Sequence, residues 1–79
     1  TKLLTNDAIK GMSKHALAVA RNEIYARHGR SFQPVEYSKY FSGKSWYSIN
    51  PNYNYSDDDS NLNSIEVKNV QFILNAERN

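Results

Sequence analysis

Apolar residues recur along this chain at the three- and four-residue spacing of amphipathic helices, in two long stretches. In residues 14–28 the stripe is Leu17, Ala20, Ile24 and His28, with Arg21 beside it and Ala18, Asn22 and Tyr25 adjoining. Alanines at 16, 18, 20 and 26 favour the helix; Ser13 stands where an N-cap belongs, and Gly29 where a left-handed residue ends it. In residues 61–76 the stripe is Leu62, Ile65, Asn69, Phe72 and Ala76, widened by Val70 and Ile73. Asp57, Asp58 and Asp59 precede it, where acids favour the helix dipole. Both stripes place polar residues on the face that should turn inward: Arg21, His28 and Asn69.

Two shorter helices complete the pattern. Thr5 is placed to cap one near 5–12, weakened by Gly11. Gln33 and Pro34 read as the N-cap and first residue of another near 34–42, which spaces Tyr37, Tyr40 and Phe41 along one side before Gly43. Residues 44–55 read as an irregular loop pinned to the core by its aromatics, among them Trp46, Tyr47, Tyr53 and Tyr55. The class is therefore all-α: a small bundle of about four helices near 5–12, 14–28, 34–42 and 61–76, two longer and two short, with an aromatic-rich loop. Phe41 and Trp46 are expected in the core, and Tyr47, Tyr53 and Tyr55 nearer the surface.

Composition adds limits to this picture. Seventy-nine residues make one small domain, which hides only about 60–65% of its unfolded surface. Aromatic residues make up 13% of the chain, so a few large rings can build the core of a sequence whose mean hydropathy is −0.76. The absence of cysteine removes disulfide scaffolds and cysteine zinc sites, and no apolar run is long enough to span a membrane. Beginning at Thr1, the chain reads as a module excised from a larger protein. The net charge of +2 is divided unevenly: +4 over residues 1–30, +1 over 31–55 and −3 over 56–79. Attraction between a basic first part and an acidic last part accounts for this better than a nucleic-acid surface does, since Lys and Arg do not alternate with the rings.

Catalytic chemistry finds no constellation. Glu23 and His28 lie five residues apart and diverge around a helix, the three glycines form no phosphate loop, and no nucleophile sits beside a base. His15 and His28, thirteen residues apart, match no zinc spacing. Asn50, Asn52 and Asn54 alternate like the start of a calcium loop. However, Tyr55 stands where that loop needs glycine and Asn61 where it needs glutamate. A non-enzyme without cofactor or metal is expected. The inward polar residues read as a structural network: Arg21 paired with an acid of the last helix, Glu66 being the best placed, His28 donating to a carbonyl near Gly29, and Asn69 satisfying a buried group.

The run Arg21-Asn22-Glu23-Ile24-Tyr25-Ala26-Arg27-His28-Gly29 contains the pentapeptide that names the YARHG domain family. Tyr40-Phe41, Ser45-Trp46-Tyr47, Leu62-Asn63, Ile65-Glu66 and Lys68-Asn69-Val70 also resemble that family, over roughly residues 4–75. One departure is Arg30, where the family more often has an aromatic, so Phe32 is expected to fill that corner. The resemblance implies a bacterial, mainly helical module outside the cytoplasm, found beside varied domains that include kinases and peptidases, with a proposed role in binding peptidoglycan. On that reading a sugar would stack on Tyr47 or Tyr53 while Arg27 or Arg30 holds a peptide carboxylate, because a guanidinium fork matches a carboxylate. The alternative is a structural or protein-interaction domain between a membrane anchor and other domains.

Overall fold

The Ser13 hydroxyl accepts the Ala16 N–H at 3.0 Å and starts the helix α2, Lys14–Ala26. In this computed structural model, which describes residues 3–78, the other helices are α1 (Asn6–Ile9), α3 (Val35–Ser42) and α4 (Ser64–Arg78), with a 3-10 turn at Asp58–Asn61. The fold is all-α, with no strand among the described residues.

The boundaries differ from the sequence expectations for local reasons. α1 is one turn long and buries nothing, so no packing extends it. The chain leaves the helix at Lys10 and turns at Gly11 with φ 81°. Pro34 occupies the N-cap position of α3 rather than its first turn, with ψ 127°, and its carbonyl accepts the Ser38 N–H at 3.0 Å. α4 starts at Ser64 because Leu62 is extended and Asn63 caps it reciprocally. Asn63 Oδ1 accepts the Glu66 N–H at 2.8 Å while Glu66 Oε1 accepts the Asn63 N–H at 2.9 Å, a capping box.

α2 ends as its glycine dictates. Gly29 has φ 90°; its N–H bonds to the Ala26 carbonyl at 2.9 Å and the Arg30 N–H to the Tyr25 carbonyl at 3.4 Å, the paired hydrogen bonds of a Schellman turn.

α2 packs mainly against α4 and more lightly against α3. The inward face of α4 is turned one position from the expected stripe. Asn69, Val70 and Ile73 are buried, whereas Ile65 is 36% exposed. On α2, Leu17, Tyr25 and Ala26 are buried, while Ala20 and Ile24 are only half-buried. Beside this pair lies an aromatic cluster centred on the fully buried Phe41. Its ring stacks on Phe32 at 4.9 Å and meets Tyr40 edge-on at 5.1 Å, with Trp46 and Tyr47 at 6.2 and 6.0 Å. Phe32 is buried in this cluster. Trp46 packs against this cluster but remains half-buried.

Two polar clamps bracket the apolar middle of the α2–α4 pair. Arg21 does not pair with Glu66. Its Nε donates to Glu77 Oε2 at 2.7 Å and its Nη2 to Oε1 at 3.3 Å. Glu66 instead faces His28, whose Nε2 lies 2.9 Å from both carboxylate oxygens, so His28 does not serve a carbonyl near Gly29 as expected. Between the clamps, Asn69 Oδ1 accepts the Leu4 N–H at 2.8 Å and ties the N-terminal segment to α4.

The Arg21–Glu77 pair is half-buried and two-pronged, which places its value between exposed and fully buried pairs. Arg21→Ala is expected to cost about 2 kcal/mol, with a coupling to Glu77→Ala of about 1 kcal/mol in a double-mutant cycle read by urea unfolding. A coupling of zero would assign the loss to the packing of the arginine stem instead.

Candidate functional site

Five consecutive residues at the end of α2 each secure a different part of the chain. The Tyr25 hydroxyl donates to Asp59 Oδ1 at 3.2 Å and holds the 3-10 turn. Ala26, almost without exposed surface, is the seat on which Phe32 and Phe41 pack. The Arg27 guanidinium lies 4.3 Å from the centre of the Trp46 ring and anchors the start of the aromatic loop, while its Nε reaches Glu23 at 3.4 Å. His28 holds the start of α4 through Glu66. Gly29 accepts the Asn50 N–H at 2.8 Å. A Cβ at Gly29 would come 2.4 Å from Asn50 Cβ and 2.6 Å from its nitrogen, so only glycine admits the loop so close.

The loop following this hub is built by its own side chains. Asn50 Oδ1 accepts the Asn52 N–H and Asn54 Oδ1 the Ser56 N–H, two Asx-turns. Asn61 Nδ2 donates to the Asn54 carbonyl at 3.0 Å, and Asn61 Oδ1 accepts the Asn54 N–H at 3.0 Å. The alternating asparagines thus serve the backbone. Among the described residues no group of three His, Asp or Glu side chains gathers.

Of the side chains expected at a ligand site, Tyr53 is not a surface ring: it is 5% exposed, and its hydroxyl donates to Asp58 Oδ1 at 2.8 Å. Tyr47 is half-buried against Phe41 and Trp46, and its hydroxyl donates to the Arg30 carbonyl at 2.6 Å. The exposed ring of this region is Tyr55, at 51%. The Ser31 N–H donates to its oxygen at 3.1 Å, and the Ser31 hydroxyl lies 2.8 Å away. These hydrogen bonds hold the Tyr55 phenol below its ordinary pKa.

Arg30 stands beside it. Its Nε donates to Asp58 Oδ1 at 3.1 Å and Nη1 to the Ser31 carbonyl at 3.2 Å, with Cζ 5.1 Å from the Phe32 ring centre and 5.8 Å from that of Tyr55. Among the described residues, its Nη2 makes no hydrogen bond within the chain. Arg30, Ser31, Gln33, Pro34 and Tyr55 line a polar hollow of about 340 Å³ at the start of α3. The structure therefore brings Arg30 together with Tyr55 and places Arg27, Tyr47 and Tyr53 in contacts within the chain. Ser31, Gln33 and the Asp58 carboxylate that orients Arg30 were not anticipated. The capping pattern Asn63-x-x-Glu66 was present in the sequence, but no spacing rule links Asp58 to Arg30.

The YARHG domain family model matches residues 1–78, essentially the whole chain. No curated protein and no solved structure matches it.

Two measurements follow from this geometry. Gly29→Ala is expected to cost about 3 kcal/mol or more in thermal or urea melts, through left-handed strain plus the collision with Asn50. Gly11→Ala shares the strain at φ 81° but meets nothing within 4 Å, and should cost about 1 kcal/mol; equal losses would deny the close approach its role. The second concerns alkaline pH. Burial first, then the Asp59 carboxylate, push the Tyr25 phenol up to about 12, and burial with Asp58 pushes Tyr53 up as well. A phenol whose folded value is raised leaves stability intact below its unfolded value, about 10, and loses it as pH rises through the folded value. Stability should therefore fall from about pH 10 to 12. In a spectrophotometric tyrosine titration, Tyr25 and Tyr53 should ionise with unfolding, later than the other tyrosines.

Proposed function

The chain belongs to the YARHG domain family, and we propose that it is a non-catalytic binding module of the bacterial cell envelope that holds its host protein to peptidoglycan. The observation that carries this reading is the hollow where the Arg30 guanidinium meets the exposed Tyr55 ring. A sugar ring packs on the exposed part of Tyr55, and a carboxylate of the attached peptide or lactyl group takes the Nη2 edge of Arg30. The Ser31 hydroxyl and the Gln33 amide stand at the hollow to bond the remaining polar groups. Asp58 and the Ser31 carbonyl hold the guanidinium in place before the ligand arrives, which limits the ordering cost. None of these groups pairs a nucleophile with a base, so the ligand is held and not transformed.

No helix among the described residues is long and apolar enough to cross a membrane. Attachment to the envelope on this reading comes from the wall ligand and from the host protein. A shallow, wet hollow exchanges ordered water for few contacts, and the affinity expected is about 10⁻⁴ M, or about −5.5 kcal/mol.

Titration of ¹⁵N-labelled domain with purified muropeptides should move the amides of Ser31, Gln33 and Tyr55 first. Tyr55→Ala and Arg30→Gln should each weaken binding about tenfold without changing the pattern of shifts elsewhere. A domain that ignores muropeptides and intact walls at millimolar concentration would instead be a structural or protein-interaction domain.

A further inference from the structure

Two hydroxyl groups meet at the edge of the Arg30 hollow. The Ser31 and Tyr55 oxygens lie 2.8 Å apart, and one proton suffices for the bond between them. The Tyr55 oxygen also accepts the Ser31 N–H at 3.1 Å. Whichever hydroxyl donates to the other, the second keeps its proton, and among the described residues no group of the chain accepts it. Gln33 and Pro34, both exposed, form the adjoining side. The Gln33 side-chain amide carries an acceptor and a donor group, and neither is bonded among the described residues. Pro34 has no N–H and presents a ring of carbon. The one charged side chain lining the hollow is Arg30, and Asp58 is paired with it. Net charge therefore selects little here, and recognition rests on donors, acceptors and shape.

We propose that the hollow recognises the acetamido group of an N-acetylated amino sugar and discriminates against the same sugar with a free amine. The inference rests on the hollow being the binding site, as the peptidoglycan reading has it, and names the group that the site selects. An acetamido group is planar and uncharged, with one acceptor, one donor and a methyl group. Its carbonyl takes the unspent proton of the Ser31–Tyr55 pair, its N–H donates to Gln33 Oε1, and its methyl group packs on Pro34. The sugar ring that carries it then lies on the exposed part of Tyr55. The Nη2 edge of Arg30 stays open for a carboxylate where the ligand has one. A free amine, protonated at neutral pH, brings donors alone and no methyl group. It leaves the hydroxyl proton without an acceptor and sets a cation beside Arg30. A site built to hydrogen-bond a group rejects the analogue that leaves its own polar atoms unpaired.

The test is a titration of ¹⁵N-labelled chain with tri-N-acetylchitotriose and with chitotriose, its de-N-acetylated form. The acetylated trimer should shift the amides of Ser31, Gln33 and Tyr55 with a Kd of about 1 mM, and the free-amine trimer should bind at least about tenfold more weakly. Gln33→Ala should weaken the acetylated trimer about fivefold. Ser31→Ala or Tyr55→Phe alone leaves one hydroxyl proton at the edge and should cost about twofold, whereas the double variant removes it and should cost about tenfold. If a variant disturbs the fold, the comparison of the two trimers on unaltered chain decides. Equal affinity for both trimers, no shift at about 10 mM, or N-acetylalanine methylamide binding as tightly as the acetylated trimer would each overturn the proposal. Muropeptides that bind equally with and without their N-acetyl groups would overturn it while leaving the peptidoglycan reading in place. An acetylated trimer that binds at the hollow where muropeptides and walls do not would uphold it and remove that reading.

Discussion

The close approach of Gly29 to Asn50 is the constraint on which the rest of the molecule depends. A left-handed residue at that point turns the chain out of α2, and the missing side chain lets the loop backbone rest against the turn. Once the loop is seated, Trp46 lies under Arg27, Tyr47 reaches the Arg30 carbonyl, and Tyr53 is carried inward to Asp58. The four residues before the glycine then engage the 3-10 turn, the Phe32–Phe41 cluster, the start of the same loop and α4. Consecutive residues of a helix point about 100° apart, so a short run at a helix end can address neighbours on every side. The Tyr25–Gly29 run organises the fold from its centre.

The charge asymmetry of the sequence has a structural use. Arg21, His28 and Arg30, from the basic first part, meet Glu77, Glu66 and Asp58 from the acidic last part. The Glu66 carboxyl shows the balance of effects. Burial alone would raise its pKa, but the Asn63 N–H and His28 overcome that and hold it below the usual range. One carboxylate thereby caps α4 and joins it to the end of α2.

Much of this was legible in the sequence. Helix periodicity marked α2 and α4, Gly29 marked a left-handed ending, and Phe41 sat where two short-range spacings placed a core ring. The inward location of polar groups was also readable, because Arg21, His28 and Asn69 interrupt apolar stripes. Their partners were less so. A stripe defines a face only to within about one residue, or 100°. The Asn63–Glu66 cap and the two clamps turn α4 so that Glu66 and Glu77 face inward while Ile65 faces outward. The loop tyrosines were harder still. Tyr47, Tyr53 and Tyr55 look alike in sequence, and what separates them is whether the phenol finds an acceptor inside the fold. Tyr53 finds Asp58 and Tyr47 the Arg30 carbonyl, while Tyr55 meets Ser31 at the surface. That depends on the path of the loop, which hydrophobic pattern does not encode.

The placement of Trp46 has an optical consequence. It is the chain's single tryptophan, among six tyrosines. It sits where α2, α3 and the loop meet, edge-on to Tyr47 at 6.2 Å and beneath a guanidinium. Excitation absorbed by nearby tyrosines drains toward this indole, so ultraviolet emission from the whole domain is weighted to one corner. Release of the loop from the end of α2 removes the cation from the ring face and admits water, changing the colour and intensity of that emission. Fluorescence and circular dichroism therefore watch different parts of this protein, and the gap between their transitions measures how tightly the loop is coupled to the bundle.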